Sequence, residues 1–502
     1  MVASGRGDQT CGARRLRYYP GMPYRSLVTL LLLAFTSALH GQAPKYNVLF
    51  IPVDDLKAIG GCYGGPAITP NLDKLASRGL VFNRAYCQQA VCSPSRTSLM
   101  TGRRPDTTRV WDLDTHFRPA LPDVVTLSQH FKNNGYFAAG VGKIFHPGFD
   151  DEPSWSVPNK YKLGPTFGDP NLMEELKKER QARIAAGEKN VQVRGPSVQI
   201  ADVPDDGLPD GKIANIAIDL LRKNKDKSFF IATGFLKPHL PFVVPRKYWD
   251  LYPAESIKLP ANRAAPKDAP KQAMHNSGEL RQYADIPKKE EPIPDEKQKE
   301  LIRGYLAATS YMDAQLGRIL DELDALGLRD KTVVVLWGDH GWHLGDHGIF
   351  CKHTNFEEAT RSPLILSVPG QKSAGAKTDG LVEFVDVYPT LCDLAGLPQP
   401  EGLEGTSLVP LIEDPKRHWK SAAFSQYPRG GKNNPIMGYS MRTERYRYTE
   451  WQNKAGKAIA TELYDHQSDR DEMTNLAGAA QHKELVAKLS AQLKAGWQAA
   501  RP

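Results

Sequence analysis

Cysteine is scarce in this chain. Six occur in 502 residues, too few for a disulfide-built scaffold. Long apolar runs are scarcer: after residue 39 none is long enough to span a bilayer as a helix. No internal repeat and no low-complexity block is present, which removes solenoids and compositionally biased segments. Neither sign of charge dominates. The formal charge is +8, and residues 1–43, with five Arg against one Asp, hold half of it. The remaining mild excess is compatible with anionic substrates and equally with a solvated surface. Glycine (42) and proline (38) are plentiful and imply many loops in a globular chain. The length exceeds one small core, so one large α/β domain, alone or with a smaller one, is expected.

The apolar run at 27–39 follows Arg25 and the Arg14, Arg15, Arg17 cluster, and Gly41-Gln42-Ala43 supplies small residues for cleavage. That pattern reads as a signal peptide over 1–43, and the run is short for a membrane span. Met22 is a second possible start, since 22–43 alone has signal length. Removal of the segment leaves Cys62, Cys87, Cys92, Cys351 and Cys392. An odd count in an exported protein flags an unpaired thiol.

The mature chain opens on a continuous apolar strand, 46–53, that stops at Asp54-Asp55. Further buried strands are expected at 136–140, 228–235, 332–336 and 362–368, with helices at 71–79, 126–133 and 310–327. In the last, Leu316, Ile319, Leu320 and Leu323 keep the spacing of one buried helix face. Apolar strands alternating with helices predict an α/β fold: a large, mainly parallel sheet sandwiched by helices. After about residue 415 the period changes to two, which predicts a smaller C-terminal antiparallel-sheet subdomain closed by a helix near 482–497. The expected division is 44–415 and 416–502. Residues 150–210 and 255–300 are polar, Pro-rich and weakly periodic, and read as irregular insertions.

Two strands end in metal-ligand types, Asp54-Asp55 and Asp339-His340. In parallel sheets the functional crevice lies beyond the carboxyl ends of the strands, so both pairs point to one site. Their three carboxylates suit a hard divalent cation such as Ca²⁺. Ser93 and Pro94 read as the cap and first residue of a helix. Cys92 would then sit just before a helix N-terminus, a favourable place for an anion. Arg96, Lys143, His146, Lys237, His239 and Lys352 follow core strands or this turn and could balance an anion's charge or supply protons.

Cys92-Ser-Pro-Ser-Arg96, followed by Thr101-Gly-Arg103, resembles the signature of the type I sulfatases of the alkaline phosphatase superfamily. The phrases at 83–96, 101–108, 141–148, 338–348 and 351–356 look closest to the iduronate 2-sulfatase branch. Tyr427-Pro-Arg429, 437–440 and 446–449 extend the likeness to the C-terminal part. The resemblance implies that Cys92 is converted to Cα-formylglycine by a formylglycine-generating maturation enzyme. It implies one Ca²⁺ held by Asp54, Asp55, Asp339, His340 and residue 92, with His340 unusual as a ligand for so hard an ion. Arg96 and Lys143 would stabilise the hydrate and sulfate charge, and His146 would take the proton that collapses the sulfated intermediate. His239 and Lys352 would contact the sulfate and assist the leaving alcohol. Trp342 and Lys352 match positions near a uronate carboxylate.

The implied enzyme is an exported sulfuric ester hydrolase, periplasmic or extracellular, acting on a sulfated carbohydrate such as a glycosaminoglycan fragment. Exo-removal of a 2-O-sulfate from a uronate is the sharpest form of that expectation. No nucleic-acid partner and no stable membrane insertion are expected. A phosphomonoester or phosphonate hydrolase of the same superfamily and an inactive glycan-binding protein are the competing readings. The last predicts a missing nucleophile or ligand, and none is missing.

Overall fold

The computed structural model describes residues 46–189, 191–288, 291–431 and 433–502. The expected signal peptide at 1–43 lies outside the described residues. Seven strands form the main sheet: β1 (Asn47–Val53), β2 (Leu80–Phe82), β3 (Phe137–Gly142), β4 (Phe229–Gly234), β5 (Thr332–Gly338), β6 (Leu364–Ser367) and β7 (Lys377–Thr378). Their order is β7-β2-β6-β5-β1-β4-β3. All run in one direction except β6, which is antiparallel to both β5 and β2. The sheet is mixed and mostly parallel, as the alternation of strands and helices predicted.

β1 shows why its sequence is continuously apolar. Val48 and Phe50 join the core on one face of the sheet, and Leu49, Ile51 and Val53 join the core on the other. A strand buried on both faces has no polar side to alternate with. Each such side chain contributes about 1.5–3 kcal/mol through burial.

The helices include α1 (Pro70–Arg78), α2 (Cys92–Thr101), α3 (Leu127–Asn133), α4 (Pro170–Ala185), α5 (Pro209–Asn224), α6 (Asp295–Ala325) and, near the C-terminus, α7 (Lys483–Ala499). Leu316, Ile319, Leu320 and Leu323 of α6 are buried as their spacing requires. The helix nevertheless starts at Asp295, well before the expected 310. Its first turns carry Asp295, Glu296, Lys297 and Lys299 and lack apolar periodicity, so the start is set by Pro294 and the acidic first turn.

The 150–210 region is less irregular than its composition implied. It contains α4, none of whose side chains is buried. Asp169 caps it, accepting from the Asn171 N–H at 2.8 Å, and Pro170 opens it. Its apolar residues that reach the core, Leu172, Met173 and Leu176, are only partly buried and confined to its first half, so no hydrophobic period runs along the helix. Val198–Ala201 from the same region pairs in parallel with Phe242–Pro245. The 255–300 region is irregular as expected, broken by three short 3₁₀ turns before α6 begins.

After residue 415 four antiparallel strands follow in sequence order: β8 (Ala422–Arg429), β9 (Ile436–Thr443), β10 (Tyr446–Asn453) and β11 (Ala458–Asp465). α7 packs on this sheet through Leu489. No described helix is long and apolar enough to cross a membrane. Cys62, Cys87, Cys92, Cys351 and Cys392 are all free thiols.

Candidate active site

Four neighbouring parallel strands, β5-β1-β4-β3, deliver their carboxyl ends to one edge. β1 leads into Asp54-Asp55, β5 into Asp339-His340, β3 into Lys143 and His146, and β4 into Lys237 and His239. Local packing holds these turns tightly. Gly338 and Gly341 bracket Asp339-His340 because a Cβ at either would strike backbone carbonyls, those of Leu56 and of Glu358 and Arg361. Tyr305 of α6 donates its hydroxyl to the Asp55 carbonyl at 2.6 Å and accepts from the Lys57 N–H at 2.7 Å. Asp55, Cys351 and His353 adopt positive φ (58°, 76° and 70°). Non-glycine residues in that region are uncommon and cluster where function fixes the backbone.

Cys92 is itself the first residue of α2, with Val91 as its cap. The expectation that Ser93 caps the helix and Pro94 opens it is corrected by about two residues, a usual margin for a helix end. The Cys92 Sγ lies 3.4 Å from His340 Nε2 and 3.7 Å from Asp55 Oδ1. Ligand atoms of Asp55, Cys92, Asp339 and His340 all fall within 4.8 Å of one another. Asp54 is tied in differently. It accepts from Lys143 Nζ at 2.6 Å and Arg96 Nη2 at 3.1 Å, and groups with Asp55 and His239.

Arg96 is fully buried. Its guanidinium donates to Asp339 Oδ2 at 2.8 Å, to Asp54, and to the carbonyls of Lys143 and Ile144. It therefore acts on the centre by fixing two carboxylates. Lys352 Nζ donates to both Asp55 oxygens at 3.0 Å and to Glu279 Oε1 at 2.9 Å, and lies 4.9 Å from the Trp342 ring centre. Trp342 is buried and stacks on Tyr305 at 6.2 Å, so it meets the site through Lys352.

The electrostatics follow from burial against charge. Burial would raise Asp54, but Lys143 foremost holds its carboxyl well below the usual range. Burial pushes Asp55 up to about 7, with Lys352 opposing and Asp54 adding to it. Burial, then the Asp54 carboxylate, pushes the Cys92 thiol well above its ordinary value. Burial pushes His239 and His146 down to about 4. His146 Nδ1 is buried with no protein partner. Asp54, Asp55 and Asp339 are met directly by Arg96, Lys143 and Lys352. The three carboxylates beside Cys92 fit a hard divalent cation in donor type.

Two contributors carried no readable signal. Asp210, near the start of α5, accepts from the N–H groups of Leu236 and Lys237 at 2.7 and 2.8 Å and shapes the loop that carries His239. Glu279 comes from the irregular 255–300 region; its Oε1 is 3.4 Å from His239 Nε2. Burial would raise Glu279, but Lys352 foremost keeps it below its ordinary value and ionised. The centre opens into a cleft of about 760 Å³. Its walls include Gln192 and Arg194 from the first insertion and Glu279, Gln282 and Tyr283 from the second.

The chain matches the Sulfatase family over residues 46–397. It belongs to the sulfatases. Residues 345–498 of this sulfatase also match the C-terminal family of N-sulphoglucosamine sulphohydrolase. It is 38% identical to iduronate 2-sulfatase from Homo sapiens over 475 residues, covering 81% of this chain and 84% of that one. It is 35% identical to the Mus musculus iduronate 2-sulfatase, covering 93% and 98%. A protein solved in complex with its substrate D-glucosamine-2-N,6-O-disulfate shares the fold, with a TM-score of 0.72 and 22% identity, covering 90% of this chain and 98% of that one. The sulfatase is thus a sulfuric ester hydrolase of the iduronate 2-sulfatase type, with an alkaline phosphatase-like fold.

Glu279 yields a test in this sulfatase. Glu279→Gln keeps an acceptor for Lys352 but removes the charge that steadies Lys352 and His239. Losing a charge-assisted hydrogen bond should lower kcat about tenfold. KM for a sulfate ester should stay level or fall, because a negative group leaves the anion's path. Steady-state kinetics decide it; a raised KM with unchanged kcat would make Glu279 a simple binding residue.

Proposed function

We propose that this sulfatase is exported and removes a 2-O-sulfate from a terminal uronate of a sulfated glycan, using Cys92 as formylglycine and one bound Ca²⁺. The supporting observation is the position of Cys92. It opens α2 among Asp55, Asp339 and His340. Sulfur is a soft donor, ill matched to a hard cation held by carboxylates, so the residue type makes sense there as a precursor. The named activity of the two mammalian relatives supports the uronate reading. Residues 44–415 form the proposed catalytic domain and 416–502 the C-terminal subdomain.

Asp54, Asp55, Asp339, His340 and residue 92 would hold the cation. Formylglycine hydrate supplies an oxygen nucleophile there, and the cation supplies positive charge for it and for the sulfate. Arg96 positions Asp54 and Asp339. Lys143 and Lys352 counter the sulfate's charge from either side. His239 spends Nδ1 on the Leu240 carbonyl, which leaves Nε2 toward the cleft. In its protonated form Nε2 donates to the leaving alcohol oxygen; a bound anion works against the burial that depresses it. His146, neutral at pH 7 with Nδ1 unpartnered, accepts the proton from residue 92 that frees the sulfate.

Lys352 would sit between sulfate and uronate carboxylate. Lys352→Ala should therefore lose about tenfold more kcat/KM on a 2-O-sulfated uronate disaccharide than on an aryl sulfate, the equivalent of one extra contact. Equal losses on both substrates would remove the argument for uronate recognition. They would leave Lys352 as a sulfate-site residue.

A further inference from the structure

A second cavity, of about 370 Å³, lies beyond the C-terminal end of α2, against β8, β9 and α7, and shares no lining residue with the main cleft. None of its residues takes part in the chemistry above. Gln88 is 1% exposed, and neither its side-chain nitrogen nor its oxygen has a protein partner. Its backbone is fixed, since its carbonyl accepts from the Gln426 N–H at 2.8 Å. A buried amide with both ends unmatched is costly, and such groups ordinarily find partners.

Three of the four charged groups lining the cavity, Asp106, Arg104 and Glu404, are engaged with protein partners, and Lys494 is the fourth. Asp106 accepts from Trp111 Nε1 at 3.1 Å and from Gln426 Nε2 and the Tyr439 hydroxyl at 2.9 Å. Arg104 is held by both oxygens of Glu383 at 2.7 and 2.9 Å. Glu404 accepts from the Arg104 N–H and the Thr107 hydroxyl, both at 2.6 Å. One wall is aromatic. α7 breaks at Gly496 (φ 76°, ψ −176°), and the half-buried Trp497 that follows lines the cavity with its ring 5.0 Å from the Arg104 guanidinium.

Gln88 thus offers one donor and one acceptor side by side. A carboxylate or phosphate can only accept and would leave the Gln88 oxygen unmatched. Neighbouring hydroxyls both donate and accept and satisfy both ends. The Trp497 indole, with the Arg104 and Arg501 guanidinium groups 5.0 and 4.6 Å from its ring centre, closes one side of the cavity. The volume lies at the low end of small-ligand sites, roughly 300–1,000 Å³. We infer that this cavity binds a pyranose ring of a glycan, with Gln88 holding two adjacent hydroxyls and Trp497 walling the ring in. The choice of a glycan rests on the substrate reading above, and the cavity is a second hold on the same kind of chain.

The probe is an unsulfated hexasaccharide of alternating glucuronate and N-acetylglucosamine, which has no sulfate ester to cleave. It is titrated calorimetrically with inorganic sulfate present to fill the main site. Trp497→Ala and Gln88→Leu should each raise Kd at least about tenfold, with aryl sulfate turnover within about twofold of wild type. Unchanged Kd in Trp497→Ala, no binding to the wild-type protein, or only water on Gln88 in a soaked crystal would overturn the inference. Cleavage of a 2-O-sulfated disaccharide is measured in parallel. Hexasaccharide binding without that cleavage would overturn the uronate reading and leave this site standing; cleavage without binding does the reverse.

Discussion

Cys92→Ala is expected to lower kcat for sulfate release by at least about 10⁴-fold, the scale of losing a covalent nucleophile. The fold should survive. The substitution removes one small buried sulfur from the start of α2, whose other residues are also buried and packed, and costs on the order of 1 kcal/mol. Circular dichroism and thermal unfolding check this beside the rate. In the wild-type protein from a host with the maturation enzyme, the tryptic peptide spanning 92 should be about 18 Da lighter than its cysteine form. Near wild-type activity in Cys92→Ala would end the proposed mechanism. An unshifted peptide mass in fully active protein would show that the thiol itself serves.

Asp339→Asn should abolish both metal binding and turnover. Asp339 does three things at once: Oδ2 accepts from Arg96 at 2.8 Å, while Oδ1 accepts from the Asp55 N–H at 2.9 Å and from the His340 N–H at 3.1 Å. Asparagine keeps the size but drops the charge. Metal analysis should give about one calcium per wild-type chain and little in the variant. Saturating calcium at 100 times Kd should stabilise the wild-type protein by about 2.7 kcal/mol and leave the variant unmoved. Asp339→Ala should cost about 3–5 kcal/mol of stability as well, because Arg96 loses a buried charged partner. Two zinc ions per chain, or calcium retained by Asp339→Asn, would refute this ligand set.

The readable parts of the site were those with a local cause. Asp54-Asp55 and Asp339-His340 each follow an uninterrupted apolar strand, and neighbouring parallel strands bring such ends to one edge. The register β1 to β5, with Val53 opposite Gly338, places the two pairs side by side. Arg96 was legible as a site residue but its contacts were not: the structure spends it on carboxylates and carbonyls, away from open space. Trp342 was expected beside a uronate carboxylate and is buried beneath Lys352. α4 and residues 295–300 of α6 show no hydrophobic period and hold no fully buried side chain, whereas residues 301–309 of α6 are largely buried and extend the helix's packed face.

By itself the sequence determined the sheet, its sandwich of helices, the change of period after residue 415, and the motif at Cys92. These rest on spacing between neighbours in the chain, which composition and periodicity record. Only the tertiary structure decided what surrounds the nucleophile. Lys352 reaches Asp55 across 297 residues and Glu279 across 73, and the cleft takes its walls from two insertions without a period. Such contacts depend on how distant loops pack over the strand ends. A long-range ion pair between irregular segments leaves no repeating mark on the sequence.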